Sequence, residues 1–293
     1  MAQVQPDGKK KKVSDKVLVI GIIFCLAVMA FSLYQIIKTA MAYREGEEEY
    51  NQLRQYTSAQ QDSGGDGRES VSGSSVSGSS DPGSAESLRA VSVSEDSGEE
   101  ALKAPISVDW NSLKSINQDI VGWIYIGALK LSYPVTHYTD NDFYLHRTFE
   151  KNDNFAGSIF EEYQNSTDFN DPNTIIYGHN MKNGSMFGTL SQLEEKYTDD
   201  PYIWVLTPDG DYCYRIFSMK KASISDETYT LFMGTDETFT DWCNKMKASS
   251  DIDTGAFTFT TESRILTLST CTTDSGHRFV VQAQRIPAQE TAS

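Results

Sequence analysis

The stretch Ser263–Ile286, SRILTLSTCTTDSGHRFVVQAQRI, predicts two paired β-strands. Apolar residues are concentrated at 265–268 and at 279–283, and a short polar segment ending in Ser-Gly separates them. In such a hairpin Cys271 ends one strand and Arg278 begins the next, and opposed residues lie about 5 Å apart. A thiol beside a guanidinium indicates a reactive cysteine, because a cation favours the thiolate and stabilises an oxyanion. The alternative is a buried strand cysteine and a solvated arginine.

Composition excludes two classes of protein. The chain has 293 residues and a formal net charge of -16, whereas a general nucleic-acid binder needs a basic face. The four cysteines are Cys25, Cys213, Cys243 and Cys271. Three of them lie outside the apolar N-terminal run, and an odd number does not make a disulfide framework. A Cys213–Cys243 pair remains open beside the interpretation of two packed thiols.

The N-terminal region predicts a membrane anchor. A basic tail, residues 1–16, precedes an uninterrupted apolar run of 21 residues at 17–37, which is long enough to cross a bilayer as a helix. Lysines on its N-terminal side predict a cytoplasmic N-terminus and an extracellular remainder. The alternative is a signal peptide cleaved near Ala40–Ala42, although its apolar core would be unusually long.

Between the anchor and the folded part the sequence is polar. Residues 38–61 predict a polar stalk that either continues the helix or is solvated. Residues 62–104 contain SVSGS twice in tandem and predict a disordered linker, which would hold the domain away from the membrane. The folded domain is expected at 105–288, followed by a tail at 289–293.

The folded part reads as mainly β, with many short strands and few helices, which favours a closed sandwich or barrel. Asp109 is a good N-cap for a short helix. A second helix is predicted to start at Thr235. Its apolar stripe faces a core, and the residues of this stripe are Phe239, Trp242, Cys243 and Met246.

A second chemical group follows another predicted strand. The apolar run 173–177, NTIIY, leads into Gly178-His179-Asn180, so His179 lies where a strand gives way to a loop. A lone histidine there is more often structural than catalytic, and the other histidines lack the spacing of a zinc site. Together, His179, Cys271 and Arg278 supply a base or acid, a nucleophile and a cation. Those are the groups that acyl transfer through a thioester requires.

These segments resemble a sortase, and more narrowly a class B sortase. The resemblance is carried by TLSTC at 267–271, by Arg278 at the start of the next strand, and by NTIIYGHN at 173–180. It extends over about residues 105–287. Supporting segments are YPVTHYTDNDFYL at 133–145, GSIF at 157–160, MKNGSMFGTL at 181–190 and the helix that carries Trp242.

The resemblance implies a closed eight-stranded β-barrel with an N-terminal helix and an extra helix between late strands, preceded by one transmembrane helix. It also implies a Gram-positive transpeptidase that joins secreted proteins to the cell wall. Cys271 would attack the threonine carbonyl of a C-terminal sorting motif and form a thioester. An amine of the peptidoglycan precursor or its cross-bridge would resolve that thioester. His179 would transfer protons, and Arg278 would hold the substrate and the oxyanion.

Family residues that line the peptide groove map onto Asn141, Leu145, Ser269 and Tyr229. Thr272 stands where some relatives carry an acidic residue, so this chain departs from the pattern there. Class B membership implies an Asn-Pro-type motif. No cofactor or metal is expected.

Three other functions use the same residues differently. In a hydrolytic cysteine peptidase, water would resolve the thioester. In a pilin-polymerising sortase, the acceptor would be a lysine of another subunit. In a tethered binding ectodomain without enzymatic activity, Cys271 would be a core thiol that does not react with thiol probes.

Overall fold

The computed structural model describes residues 15–59, 102–271 and 276–287, and for residues 15–18 and 271 it describes the backbone alone. The predictions for most of the basic tail, for nearly all of the 62–104 linker, for Thr272 and for the 289–293 tail lie outside the described residues.

The described chain consists of a long N-terminal helix followed by a mainly β domain. In chain order the elements are α1 (Asp15–Leu53), β1 (Thr57–Ala59), β2 (Ile106–Val108), α2 (Trp110–Ile116), β3 (Ile120–Ile126), β4 (Leu131–Thr136), β5 (Ile159–Glu161), β6 (Asn173–Gly178), α3 (Leu193–Lys196), β7 (Tyr202–Thr207), β8 (Gly210–Ser223), α4 (Glu237–Ala248), β9 (Ile265–Cys271) and β10 (His277–Ile286).

Eight strands close into a barrel in the order β10-β8-β7-β3-β4-β5-β6-β9, which confirms the predicted fold class. Most neighbours are antiparallel, but β4 pairs with β5 and β6 pairs with β9 in parallel. Parallel strands need a long crossover, so these two pairs join segments that are far apart in sequence. Their pairing also brings the C-terminal ends of β6 and β9 to the same end of the barrel.

The predicted hairpins are confirmed. β9 and β10 pair from Arg278↔Cys271 to Gln284↔Ile265. β7 and β8 pair around the turn that contains Pro208-Asp209, and Thr207 faces Gly210 there. Alternating side chains fill the barrel with a continuous apolar core, in which Trp123, Phe149 and Phe169 are fully buried.

The helix α4 packs on the outside of the barrel through its apolar stripe. Its four predicted stripe residues are buried with Phe217 and Ile265 in a separate apolar cluster. The helix begins two residues later than predicted, because the Asp236 carboxylate caps the backbone N–H groups of Thr238 and Phe239. Cys243 in this cluster and Cys213 in the barrel are both free thiols, so the alternative of a disulfide between them is wrong.

The helix α1 changes character along its length. Apolar side chains between Val19 and Ile37 are exposed, and by length and composition α1 is the one helix among the described residues that could cross a membrane. Its C-terminal end instead packs on the barrel. Tyr50 and Leu53 are 3% and 1% exposed, and the Tyr50 hydroxyl donates to the Gly157 carbonyl at 3.0 Å.

Further contacts strengthen this docking. The Asn154 amide donates to the Ala42 carbonyl at 2.8 Å, and the Arg54 guanidinium lies over the Tyr133 ring. The polar stalk predicted at 38–61 was not expected to make these contacts. They place the end of α1 on the barrel itself.

The strands β1 and β2 form a small separate sheet beside the end of α1. Thr57 pairs with Val108 and Ala59 pairs with Ile106. Ala59 and Ile106, which flank the segment 60–105, therefore lie next to each other. The role predicted for residues 62–104, to hold the domain away from the membrane, stays a prediction.

Candidate active site

The predicted nucleophile and cation are neighbours across a strand pair. Cys271 is the last residue of β9, and its Cα partner on β10 is Arg278. Residues paired in this way lie about 5 Å apart. Arg278 is half-buried, and its guanidinium donates to the His277 carbonyl at 3.0 Å.

The parallel pairing of β6 with β9 brings His179 to the same place. Gly178 is the Cα partner of Thr270, so His179 follows β6 where Cys271 ends β9. The imidazole is half-buried, and its Nε2 lies 2.8 Å from the Leu145 carbonyl oxygen. A carbonyl only accepts, so Nε2 carries a proton and Nδ1 is the nitrogen available for proton transfer.

Gly178 is required by packing immediately before this histidine. A Cβ there would lie 2.7 Å from the ring of the buried Phe187. Phe187 in turn donates its backbone N–H to the His179 carbonyl at 3.0 Å. The absence of a side chain at Gly178 therefore lets the loop after β6 fold back against the strand that carries the histidine.

A groove opens at this end of the barrel. Its lining includes both described catalytic candidates, His179 and Arg278, and three of the four predicted groove residues. The lining residues are Asn141, Leu145, Phe160, Tyr177, Gly178, His179, Ser269, Thr270 and Arg278. The fourth predicted residue, Tyr229, adjoins it, since its hydroxyl lies 2.9 Å from the Ser269 hydroxyl.

Tyr229 is held in place by its own segment. It ends a single helical turn, Glu227–Tyr229, which the Asp226 carboxylate caps by accepting from the Thr228 N–H. The indole N–H of Trp242 on α4 donates to the Glu227 carbonyl at 2.8 Å. The predicted extra helix is thus connected to the edge of the groove.

One wall of the groove was not predicted from the sequence. The Glu162 carboxylate, on a residue that is 6% exposed, accepts from the Asn141 amide at 2.7 Å and from the Tyr177 hydroxyl at 2.9 Å. Burial, together with this carboxylate, raises the pKa of Tyr177, so its phenol remains a donor. Tyr177 could have been found, because it lies two residues before His179 on the same strand face. Glu162 carries no comparable signal.

The arrangement fits acyl transfer. His179 and Arg278 line the groove, and the strand-end residue Cys271 is the backbone neighbour of Arg278 across the β9–β10 pair. A histidine, a cysteine and an arginine are the residue types that acyl transfer through a thioester requires. Across the described ranges no group of three or more His, Cys, Asp or Glu residues is placed to hold a metal ion.

Comparison with known proteins connects this geometry to one family. A family model described as the Sortase domain matches residues 124–286. Sortase B of Listeria monocytogenes is 33% identical over 202 residues, which is 66% of this chain and 80% of that protein. Sortase B of Staphylococcus aureus is 32% identical over 182 residues, or 60% and 74% of the two chains.

Solved structures agree. The X-ray structure of Clostridium perfringens sortase B has a TM-score of 0.57 at 29% identity and covers 61% of this chain and 100% of its own. The Staphylococcus aureus sortase B–substrate complex has a TM-score of 0.57 at 32% identity and covers 61% and 85%.

Proposed function

We propose that Cys271 is the nucleophile of this chain, which belongs to the class B sortases and is a cysteine transpeptidase of cell-wall sorting. The observation that carries the proposal is the register at the end of the barrel. The antiparallel neighbour of Cys271 is Arg278, and the strand parallel to β9 ends immediately before His179.

In the first half-reaction the Cys271 thiolate attacks the carbonyl carbon of the threonine in a C-terminal sorting motif. The C–N bond of that threonine breaks, a thioester forms, and protonated His179 gives its proton to the leaving amine. Arg278 stabilises the negative charge that develops on the carbonyl oxygen.

In the second half-reaction an amine of the peptidoglycan precursor or cross-bridge attacks the thioester. His179 accepts the proton of that amine, the C–S bond breaks, and the secreted protein is joined to the wall by an amide. The Nε2 hydrogen bond to the Leu145 carbonyl supports Nδ1 as the atom that moves the proton in both halves.

The groove supports binding of an extended sorting peptide, with Asn141, Leu145, Ser269 and Tyr229 as its contacts. An Asn-Pro-type motif is the substrate that class B membership suggests. The apolar first part of α1 supports a single-pass anchor, with the N-terminus in the cytoplasm and the barrel outside the cell.

Intact-mass spectrometry tests the proposal on the full chain in detergent micelles. We expect an Asn-Pro-type sorting peptide to leave an adduct on the protein, and a Leu-Pro-type peptide to leave less. Cys271→Ala should abolish the adduct, and His179→Ala should slow its formation about 10²–10⁴-fold.

A second reaction also contains a diglycine-type amine, and its product distinguishes transpeptidation from hydrolysis. Conversion of the adduct to an amine-joined product is the expected result. An adduct that only water resolves would support a peptidase instead. No adduct with either peptide, together with a Cys271 that resists alkylation, would leave a tethered binding domain.

A further inference from the structure

The carboxylate of Glu162 lies behind the groove wall, within the protein. Glu162 follows the last residue of β5 and is 6% exposed, and its backbone N–H donates to the Ile175 carbonyl on β6 at 2.9 Å. No cation forms an ion pair with it among the described residues. A buried carboxylate of this kind is stabilised by the hydrogen bonds that it accepts.

Three groups donate hydrogen bonds to the Glu162 carboxylate, and two of them belong to residues that line the groove. One oxygen accepts from both the Asn141 amide and the Tyr177 hydroxyl, and the other accepts from the Gln164 backbone N–H at 3.4 Å. Bonds to a charged acceptor are roughly twice as strong as neutral ones. The carboxylate therefore sets the direction of two side chains that a bound peptide would meet.

The consequence for Asn141 is a fixed amide. Its Nδ2 donates to Glu162, and its Oδ1 accepts from the Tyr163 backbone N–H at 3.0 Å. One N–H and one lone pair remain, and they are oriented together. That pair matches the C=O and N–H of one peptide unit.

The hydrogen bond to Glu162 also fixes the direction in which the Tyr177 hydroxyl donates. Its hydroxyl proton points at Glu162, so the phenol oxygen offers only an acceptor to any other group. Its ring is 5.5 Å from that of Phe160, which closes the apolar side of the same wall. The wall thus offers a fixed set of donors and acceptors on an aromatic surface.

We infer that Glu162 is the positioning residue of this wall. It orients Asn141 and Tyr177 so that the groove binds the backbone of the sorting peptide in one register. The inference rests on the proposed function, because it deepens the description of the same groove. Glu162 acts through its two neighbours and touches no reacting atom.

The test is a split between KM and kcat in full-chain Glu162→Gln. The amide keeps the size of the carboxylate but loses its charge and one acceptor oxygen. We expect KM for an Asn-Pro-type peptide to rise about tenfold, the effect of losing hydrogen bonds that are made equally in the ground and transition states. The kcat of acylation should stay within about twofold.

Four further measurements separate positioning from general damage. Glu162→Asp keeps the charge and should recover part of the loss in KM. Anisotropy of a labelled peptide on a Cys271→Ala background should show the same weakening as KM. The rate of Cys271 alkylation by iodoacetamide should not change. The matched control is Glu161→Gln, which alters the neighbouring buried carboxyl outside the groove lining and should leave KM unchanged.

Wild-type KM in both Glu162→Gln and Glu162→Ala would overturn the inference. So would a fall in kcat and alkylation rate at constant KM, or an equal effect of Glu161→Gln. All of these outcomes presuppose a wild type that acylates. A wild type that forms no adduct with any sorting peptide would overturn the proposed function, and the inference with it.

Discussion

Glu161 is a buried acid that the barrel holds without a hydrogen bond. It alternates on β5 with Phe160 and so faces the interior, and neither carboxyl oxygen has a hydrogen-bond partner among the described residues. Burial, and then the nearby carboxylates of Asp171, Asp168 and Glu162, raise its pKa from 4.5 to about 9. The folded protein therefore contains the neutral acid at neutral pH.

This shift predicts how stability depends on pH. Between pH 4.5 and about 9 the unfolded chain has released the proton that the folded chain still holds. The contribution is therefore fully present below pH 4.5 and is lost as pH rises through that window. Glu161→Gln cannot titrate, so its advantage over wild type in urea unfolding should grow by about 2–4 kcal/mol between pH 5 and pH 8. Parallel curves for the two proteins would contradict the raised pKa.

Gly178 predicts a local effect on the catalytic loop. Gly178→Ala places a methyl group against Phe187, and overpacking of this kind destabilises by about 1–3 kcal/mol. Because Phe187 bonds to the His179 carbonyl, the acylation rate should fall about tenfold or more. The double variant Gly178→Ala, Phe187→Leu removes the contact and should recover much of the rate. A double variant no faster than Gly178→Ala would show that the ring is not the cause.

The element α4 predicts a link between stability and peptide binding. Trp242→Ala should destabilise the domain by about 3–5 kcal/mol through the cavity that it leaves. Trp242→Phe keeps most of the packing but removes the donor to the Glu227 carbonyl, so the turn that carries Tyr229 loses its restraint. We expect a stability loss of about 1 kcal/mol and a peptide Kd raised several-fold.

A second contact of Glu227 provides the control for the Trp242→Phe prediction. Lys245 pairs with the Glu227 carboxylate at 2.6 Å, but both side chains are well exposed. Exposed pairs contribute at most about 1 kcal/mol, so Lys245→Ala should change stability little and leave the Kd unchanged. Equal effects of Lys245→Ala and Trp242→Phe on Kd would argue against the indole restraint.

Local patterns predicted the elements well, and long-range pairing was beyond them. The β9–β10 hairpin and the stripe of α4 are read from spacings of a few residues, and both are confirmed. The parallel pairing of β6 with β9 joins residues about 90 positions apart, and no local periodicity specifies it. That pairing brings His179 to the strand end at Cys271, so local patterns predicted Cys271 and Arg278 as neighbours but not the proximity of His179 to them.

The role of Glu162 in the groove wall was also beyond prediction from local sequence patterns. Its role depends on a carboxylate that reaches Asn141, 21 positions away, and Tyr177, 15 positions away. The docking of α1 was also missed, because Tyr50 and Leu53 lie in a polar stretch that reads as a stalk. Their burial is decided by the barrel surface opposite them.

For the whole molecule, the pairing of β1 with β2, which flank the segment 60–105, predicts how α1 and the barrel stay together. With a protease recognition site inserted in that segment, cleavage should leave the barrel attached to membranes. The buried side chains Tyr50 and Leu53 and the β1–β2 ladder hold the pieces without the covalent link. Membrane pelleting after cleavage measures this retention.

The matched control weakens only the docking contacts. Tyr50→Ala with Leu53→Ala removes two buried side chains, and each truncation costs about 2–5 kcal/mol. In that variant cleavage should release the barrel into the supernatant. Release of the barrel after cleavage of the protein with unchanged Tyr50 and Leu53 would mean that the segment itself holds the barrel to the membrane.

The continuity of α1 has a consequence for cargo. About 13 residues of helix separate Ile37 from Tyr50, which is about 20 Å at 1.5 Å per residue. With α1 in the bilayer as proposed, the groove lies at a fixed distance from the membrane surface. It changes orientation only when the helix rotates. Such an enzyme does not travel outward to meet the wall. Each secreted protein must bring its own sorting motif to that distance from the membrane. The peptidoglycan that supplies the acceptor amine must reach the same layer.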